Sequence, residues 1–101
     1  MDLINAIAKV RFSSARPQRV HLHKGKTLLA ELLCMEPGQH RKIDRGQWAY
    51  YVITGAATIT IHDKTSDLSA GQFAAVGPGE PHTVANAAEQ RLVCLAITNS
   101  S

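Results

Sequence analysis

Between residues 71 and 86 the chain reads GQFAAVGPGEPHTVAN, and the Gly77-Pro78-Gly79 triplet inside it constrains the fold more than any other feature. Pro78 has a fixed φ and no N–H to give to a strand ladder, and the flanking glycines favour turns. The stretches on either side, residues 71–76 and 82–85, are therefore expected to be two short strands meeting at a tight corner. His82 stands at the start of the second strand, next to that corner.

The same punctuation runs through the rest of the chain. Residues 20–23 alternate and stop at the Lys24-Gly25-Lys26 turn. Residues 27–35 form a longer run, apolar on both faces, as in a strand covered on both sides. Glu36-Pro37-Gly38 breaks it. Residues 39–44 are polar and extended, and Arg45-Gly46 is a second break. Residues 48–54 are rich in aromatic and β-branched side chains and read as a strand. After Gly55, Ala57, Ile59 and Ile61 alternate with Thr58, Thr60 and His62, the period of a half-buried strand. Residues 63–66 read as a hairpin turn, and residues 91–98 as a last strand, again apolar on both faces. At the N-terminus Leu3, Ile4, Ile7 and Ala8 share one side of one or two helical turns, with Asp2 as the N-cap, and residues 13–17 form a loop. Many short strands between Gly and Pro turns predict an all-β sandwich or barrel, preceded by a short N-terminal helix.

A chain of 101 residues is expected to form one domain, residues 1–101, with a modest core. No apolar run approaches the ~18 residues that span a membrane. The first residues carry an acid and no long apolar stretch, unlike a signal peptide, so the expected setting is cytoplasmic. Cys34 and Cys94 both lie in apolar runs and are expected to be buried, reduced thiols. The net charge of +3 is mild, and Arg11, Arg16, Arg19, Lys24 and Lys26 are spread out without interleaved aromatics. Nucleic acid is therefore not an expected partner, nor is a membrane. Arg41, Lys42 and Arg45 form a tighter basic group. The sequence has no Ser-His-Asp order, no P-loop and no dinucleotide fingerprint.

Taken with its spacing, the 71–86 stretch resembles the second sequence motif of the cupins, G-x5-P-x-G-x2-H-x3-N. Gly71, Gly79, His82 and Asn86 match it, and Gly77 stands where the motif has its proline, with Pro78 beside it. The first cupin motif, G-x5-H-x-H-x3,4-E-x6-G, survives as scaffold: Pro37-Gly38 opens it and the run from Tyr50 to Gly55 closes it. Counting back from Gly55 puts Trp48 in the glutamate position. The two histidine positions then fall on Lys42 and Asp44 in the three-residue spacing, or on Arg41 and Ile43 in the four-residue spacing. The resemblance covers roughly residues 27–98. It implies a cupin double-stranded β-helix, or jelly-roll barrel, in which Cys34 and Cys94 lie on neighbouring strands.

The resemblance also implies that His82 points into the barrel, where the family places a metal ligand. In the first spacing His40, Lys42 and Asp44 share the inward face, Trp48 and Tyr50 follow, and His82 stands opposite. The expected pocket lining is thus His40, Lys42, Asp44, Trp48, Tyr50 and His82. A transition metal wants three or four convergent imidazoles or carboxylates. Lys42 and Trp48 supply neither, so no metal and no other cofactor is expected; His82 becomes a hydrogen-bonded pocket histidine and Asp44 pairs with Lys42 or Arg45. His21-Leu22-His23 has no carboxylate at motif spacing and reads as the polar, open face of an edge strand.

Two classes of function follow. The first is a binding module for a small anionic or sugar-like molecule, with Trp48 and Tyr50 as a stacking floor and Lys42, His82 and His40 as polar partners. The second is an enzyme, either a metal-dependent dioxygenase or isomerase using His40, Asp44 and His82, or a metal-free, epimerase-like catalyst with His82 as base and Tyr50 as acid. A barrel with a vestigial pocket that works by association is a third reading, and catalytic residues stay unassigned. A homodimer is expected, because the N-terminal segment carries Leu3, Ile4, Ile7 and Phe12 and the outward strand faces are apolar at Leu29, Leu33, Val93 and Leu95 or at their alternates.

Overall fold

The computed structural model describes residues 1–99. Its strands are β1 (Gln18–Lys24), β2 (Leu29–Met35), β3 (His40–Ile43), β4 (Trp48–Thr54), β5 (Ala56–Ile61), β6 (Lys64–Ser69), β7 (Phe73–Val76), β8 (His82–Ala85) and β9 (Leu92–Thr98). They form two antiparallel sheets, in the orders β1-β2-β9-β4-β7 and β3-β8-β5-β6. The chain crosses between sheets at its glycine corners. Gly55, between β4 and β5, has φ +83, and a Cβ there would run into the Arg91 carbonyl. Only glycine meets both conditions without strain.

Strand alternation splits the apolar residues into two layers. Leu33, Met35, Ile43, Trp48, Tyr50, Val52, Ile59 and Val84 belong to the core between the sheets. Leu32, Cys34 and Val93 lie on the other side of the five-stranded sheet, under Val10 and Phe12 of the N-terminal segment. That segment is held down in two places. The Arg91 guanidinium lies 4.6 Å from the Phe12 ring centre and also donates to Glu36 at 2.8 Å, and the Gln39 side chain donates to the Ser13 carbonyl at 2.7 Å.

Two local expectations are corrected. The N-terminal helix is a single 3-10 turn, Ile7–Lys9, capped at Ala6 rather than Asp2. Leu3, Ile4 and Ile7 stay exposed, and a short helix with no buried face has little to stabilise it. The hairpin turn is at His62 and Asp63, with His62 at φ 55, and residues 64–66 already belong to β6. β6 reads KTSDLS and buries only Leu68, so its polar sequence hides a strand that lies at a sheet edge.

The two cysteines occupy adjacent strands but opposite faces. Leu33 pairs with Cys94 and Cys34 with Val93, which puts Cys94 in the barrel core and Cys34 in the outer layer. Burial pushes the Cys94 thiol up to about 12 and raises Cys34 as well. Reaction with a thiol reagent at neutral pH is therefore expected to be slow in the native protein and fast after denaturation, because the thiolate is the reactive species. Fast native labelling of both cysteines would contradict this placement.

Candidate functional site

Tyr50 from β4 and His82 from β8 meet across the barrel interior. The Tyr50 hydroxyl and His82 Nε2 are 2.5 Å apart. His82 Nδ1 lies 2.9 Å from the Glu80 carbonyl, which can only accept. Nδ1 therefore carries the proton, Nε2 is the acceptor, and the Tyr50 O–H donates to it. Burial raises the Tyr50 pKa well above the ordinary phenol value, so the hydroxyl keeps its proton. The pair is almost closed to solvent, with Tyr50 1% and His82 4% exposed. Trp48 stacks on Tyr50, with ring centres 6.0 Å apart and planes at 7°, and its indole N–H donates to the Arg45 carbonyl at 2.9 Å.

The strand order shows what this strut separates. On one side of Tyr50 stand Ala96 and then Glu31, on β9 and β2; on the other stands Ala74, on β7. On one side of His82 stands Ile43 of β3, and on the other lies β5. The strut thus separates two halves of the barrel, one toward β1, β2 and β3 and the other toward β5, β6 and β7. One half is charged: the fully buried Glu31 carboxylate meets Arg19 at 3.0 Å, and Arg41 and His21 at 3.4 Å each. The other half is an apolar cleft of about 630 Å³, walled by Ile59, Ile61, Leu68, Ala74 and Val76, with Lys64 and Glu80 among its polar residues.

Of the expected pocket residues, Trp48, Tyr50 and His82 come together inside the barrel. His40, Lys42 and Asp44 do not join them inside the barrel: all three are exposed, and Lys42 and Asp44 meet His82 only around a shallow outer pocket of about 360 Å³. Asp44 lies 3.9 Å from Arg45 in a solvent-exposed pair. The four-residue spacing holds instead, with Arg41 and Ile43 inward. Ile43 is the one apolar side chain among residues 39–45, and burying it fixes the face of β3, since a shift of one residue turns every side chain over. His21 is not an idle edge residue either, because it reaches Glu31. The candidate site residues missed from sequence are therefore Arg19, His21 and Glu31, while Arg41 entered only through the four-residue spacing and the basic group. A signal for Glu31 was present: a lone acid inside the run from Leu28 to Met35 needs buried partners.

Asn86, the last motif residue, has a structural task. It is fully buried, its amide donates to the Met35 and Gln90 carbonyls at 3.1 and 2.8 Å, and its oxygen accepts from Ala88 N–H at 3.1 Å. It pins the β8–β9 connection to the end of β2.

A short jelly-roll barrel of a five-stranded and a four-stranded antiparallel sheet defines a recognisable class of small β-barrel proteins. A sequence profile described as the Cupin domain matches residues 31–98. The chain belongs to the cupin family. Among solved structures it is similar to a protein of Thermus thermophilus, with 20% identity, TM-score 0.90 and coverage of 98% of this chain and 97% of that one. It is similar to a double-stranded β-helix protein of Klebsiella pneumoniae, with 21% identity, TM-score 0.86 and coverage of 98% and 90%. A cupin superfamily protein of Desulfitobacterium hafniense gives 19% identity, TM-score 0.83 and coverage of 100% and 94%. At these identities the likeness concerns the fold. No functionally curated protein matches the sequence.

The cupin fold often holds a transition metal, and the donor set here does not fit one. The family's ligand positions carry Arg41, Ile43 and Trp48, which leaves His82, whose two ring nitrogens are engaged by Tyr50 and Glu80. Among the described residues no three His, Cys, Asp or Glu side chains converge.

Proposed function

We propose that the barrel mouth binds a small anionic or sugar-like organic molecule without a transition metal. The observation that carries this reading is the apolar cleft beside the Tyr50–His82 strut. Its volume suits a small organic ligand, and its few polar groups suit orientation of that ligand. Among the described residues Lys64 and the Glu80 carboxylate have no ion pair of their own, so both are free to meet hydroxyl or charged groups. Native mass spectrometry of freshly purified protein tests the reading. A retained small molecule is expected, and Ala74→Trp, which fills the cleft from β7, is expected to expel it while the circular dichroism spectrum stays that of a β-protein. Equal retention in both proteins would contradict the cleft as the site.

The Tyr50–His82 hydrogen bond favours one second reading, metal-free proton transfer. His82 Nε2 is the unprotonated nitrogen and could take a proton from a substrate once Tyr50 moves aside. Exchange of a ligand C–H for deuterium in D₂O, lost in His82→Asn, would support catalysis; no exchange would leave a binder. The metal-dependent version has no support in the geometry, since His40 and Asp44 are exposed, Asp44 faces Arg45, and both ring nitrogens of His82 are engaged.

The proposal extends to a cytoplasmic homodimer. No helix among the described residues is long and apolar enough to cross a membrane. The outer face of the five-stranded sheet is covered only in part by Val10 and Phe12. Tyr51 and Phe73, paired on β4 and β7, remain 41% and 63% exposed, and Leu3, Ile4 and Ile7 are exposed nearby in sequence to the covering segment. Of the residues expected on the outer face, Leu33 turns inward and its neighbours Leu32 and Cys34 take its place. Sedimentation at micromolar concentration is expected to show a dimer of the 10.9 kDa chain, and Phe73→Glu is expected to shift it toward monomer. A wild-type protein that sediments only as monomer would refute this.

A further inference from the structure

In the half of the mouth opposite the cleft, the charges do not balance. The Glu31 carboxylate, with no exposed surface, accepts from Arg19 Nε at 3.0 and 3.1 Å and from Arg41 Nη1 at 3.4 Å, and His21 Nε2 is also 3.4 Å away. One carboxylate thus faces two guanidiniums and an imidazole. Among the described residues Arg19 bonds only through Nε, which leaves both of its terminal nitrogens idle, and Arg41 uses only Nη1, at the long end of hydrogen-bond distance. The idle N–H groups of Arg41 reach solvent, since none of its side-chain nitrogens is both fully buried and unpartnered and the side chain is 24% exposed, and the Arg19 side chain is 38% exposed. Arg41 is held in place from one side by the Trp48 ring, 5.5 Å from its guanidinium carbon. Burial, and then the neighbouring Arg19, both work against its charge.

We propose that this seam, between β1–β2 and β3, receives the carboxylate of a small organic monoanion on the free N–H groups of Arg41 and Arg19. Glu31 is the fixed counter-charge that orients the two forks. Two guanidiniums against one carboxylate leave an excess of one positive charge, which one monoanion neutralises. Guanidinium forks match a carboxylate in geometry as well as charge. The inference goes beyond the small-molecule reading above: the seam is a second site, on the other side of the Tyr50–His82 strut from the cleft.

Calorimetric titration of the full chain with benzoate, with its neutral isostere benzamide and with inorganic phosphate tests it. Benzoate is expected to bind at least about tenfold more tightly than benzamide, the size of a charge-assisted hydrogen bond. Arg41→Gln and Arg19→Gln are each expected to weaken benzoate by about tenfold or more and leave benzamide unchanged. Glu31→Gln, which frees the forks, is expected to tighten benzoate, and Lys42→Gln on the outer face to change nothing. Equal binding of benzoate and benzamide, both abolished by Ala74→Trp, would overturn the carboxylate site while leaving the small-molecule reading intact. Phosphate binding more tightly than benzoate with the same arginine dependence would overturn the organic class. No binding of any of the three would overturn the carboxylate site. If the arginine variants do not fold, the benzoate-to-benzamide ratio in the native chain decides alone.

Discussion

Tyr50→Ala is expected to destabilise the protein by about 3–5 kcal/mol, the range for truncating a large buried aromatic. Tyr50 is among the largest fully buried side chains, it stacks on Trp48, it meets the His82 ring edge-on, and its hydroxyl closes the barrel from sheet to sheet. Removing the ring leaves a cavity between the two sheets. It also strips the acceptor His82 Nε2 of its donor. Tyr50→Phe separates the two effects: it keeps the ring and leaves His82 unsatisfied, at a cost of about 1–3 kcal/mol. Urea denaturation followed by Trp48 fluorescence measures both, and Trp48 is the only tryptophan. A Tyr50→Ala loss under about 1 kcal/mol would show that the interior does not depend on this strut.

Stability is expected to be flat near neutrality and to fall steadily above pH 9. Cys94 and Tyr50 are the main cause, and the buried Cys34 thiol adds to it in the same direction. Burial raises Cys94 from 9.0 to about 12, and raises Tyr50 above its ordinary 10.0. In the unfolded chain both lose their protons at their ordinary values, while in the fold both keep them. Above pH 9 the native state therefore binds more protons than the unfolded state, and stability falls as pH rises until the folded-state values are reached. The contribution is fully present below pH 9. With about 1.4 kcal/mol for each unit of difference, the loss by pH 11 is on the order of a few kcal/mol. Cys94→Ala is expected to remove most of the part that begins near pH 9, leaving the smaller share of Cys34, and to keep the part that begins near pH 10. Midpoints of urea denaturation from pH 7 to 11 check this, and a flat profile would contradict the burial assigned to both groups.

The barrel was legible because its signals are short-range. Glycine and proline corners, the two-residue alternation of β5, and the 71–86 stretch each depend only on neighbouring residues, and each matches the structure. β6 escaped because a polar edge strand need not bury a face, and KTSDLS carries one apolar residue. The N-terminal helix was overread because Leu3, Ile4 and Ile7 have the right period but stay exposed, with no packed face to hold a helix together. The site was half legible. Trp48, Tyr50 and His82 follow from position in the motifs. The face of β3 hung on a choice between two spacings, and Ile43, apolar among polar neighbours, was the residue that decided it. The charged half of the mouth was beyond reach in sequence. Arg19, His21, Glu31 and Arg41 come from three strands, and only the sheet order β1-β2, with β3 facing it, brings them together. Glu31 alone hinted at it, by sitting where an uncompensated charge would be costly.

The central claim is that Tyr50 and His82 hold each other where other members of the fold hold a metal. Elemental analysis of protein expressed with iron, manganese, nickel and zinc available tests it most directly. The account predicts metal far below one equivalent per chain, unchanged in His82→Ala, because Arg41, Ile43 and Trp48 occupy the positions that would have to supply ligands. Near-stoichiometric metal that disappears in His82→Ala would contradict it.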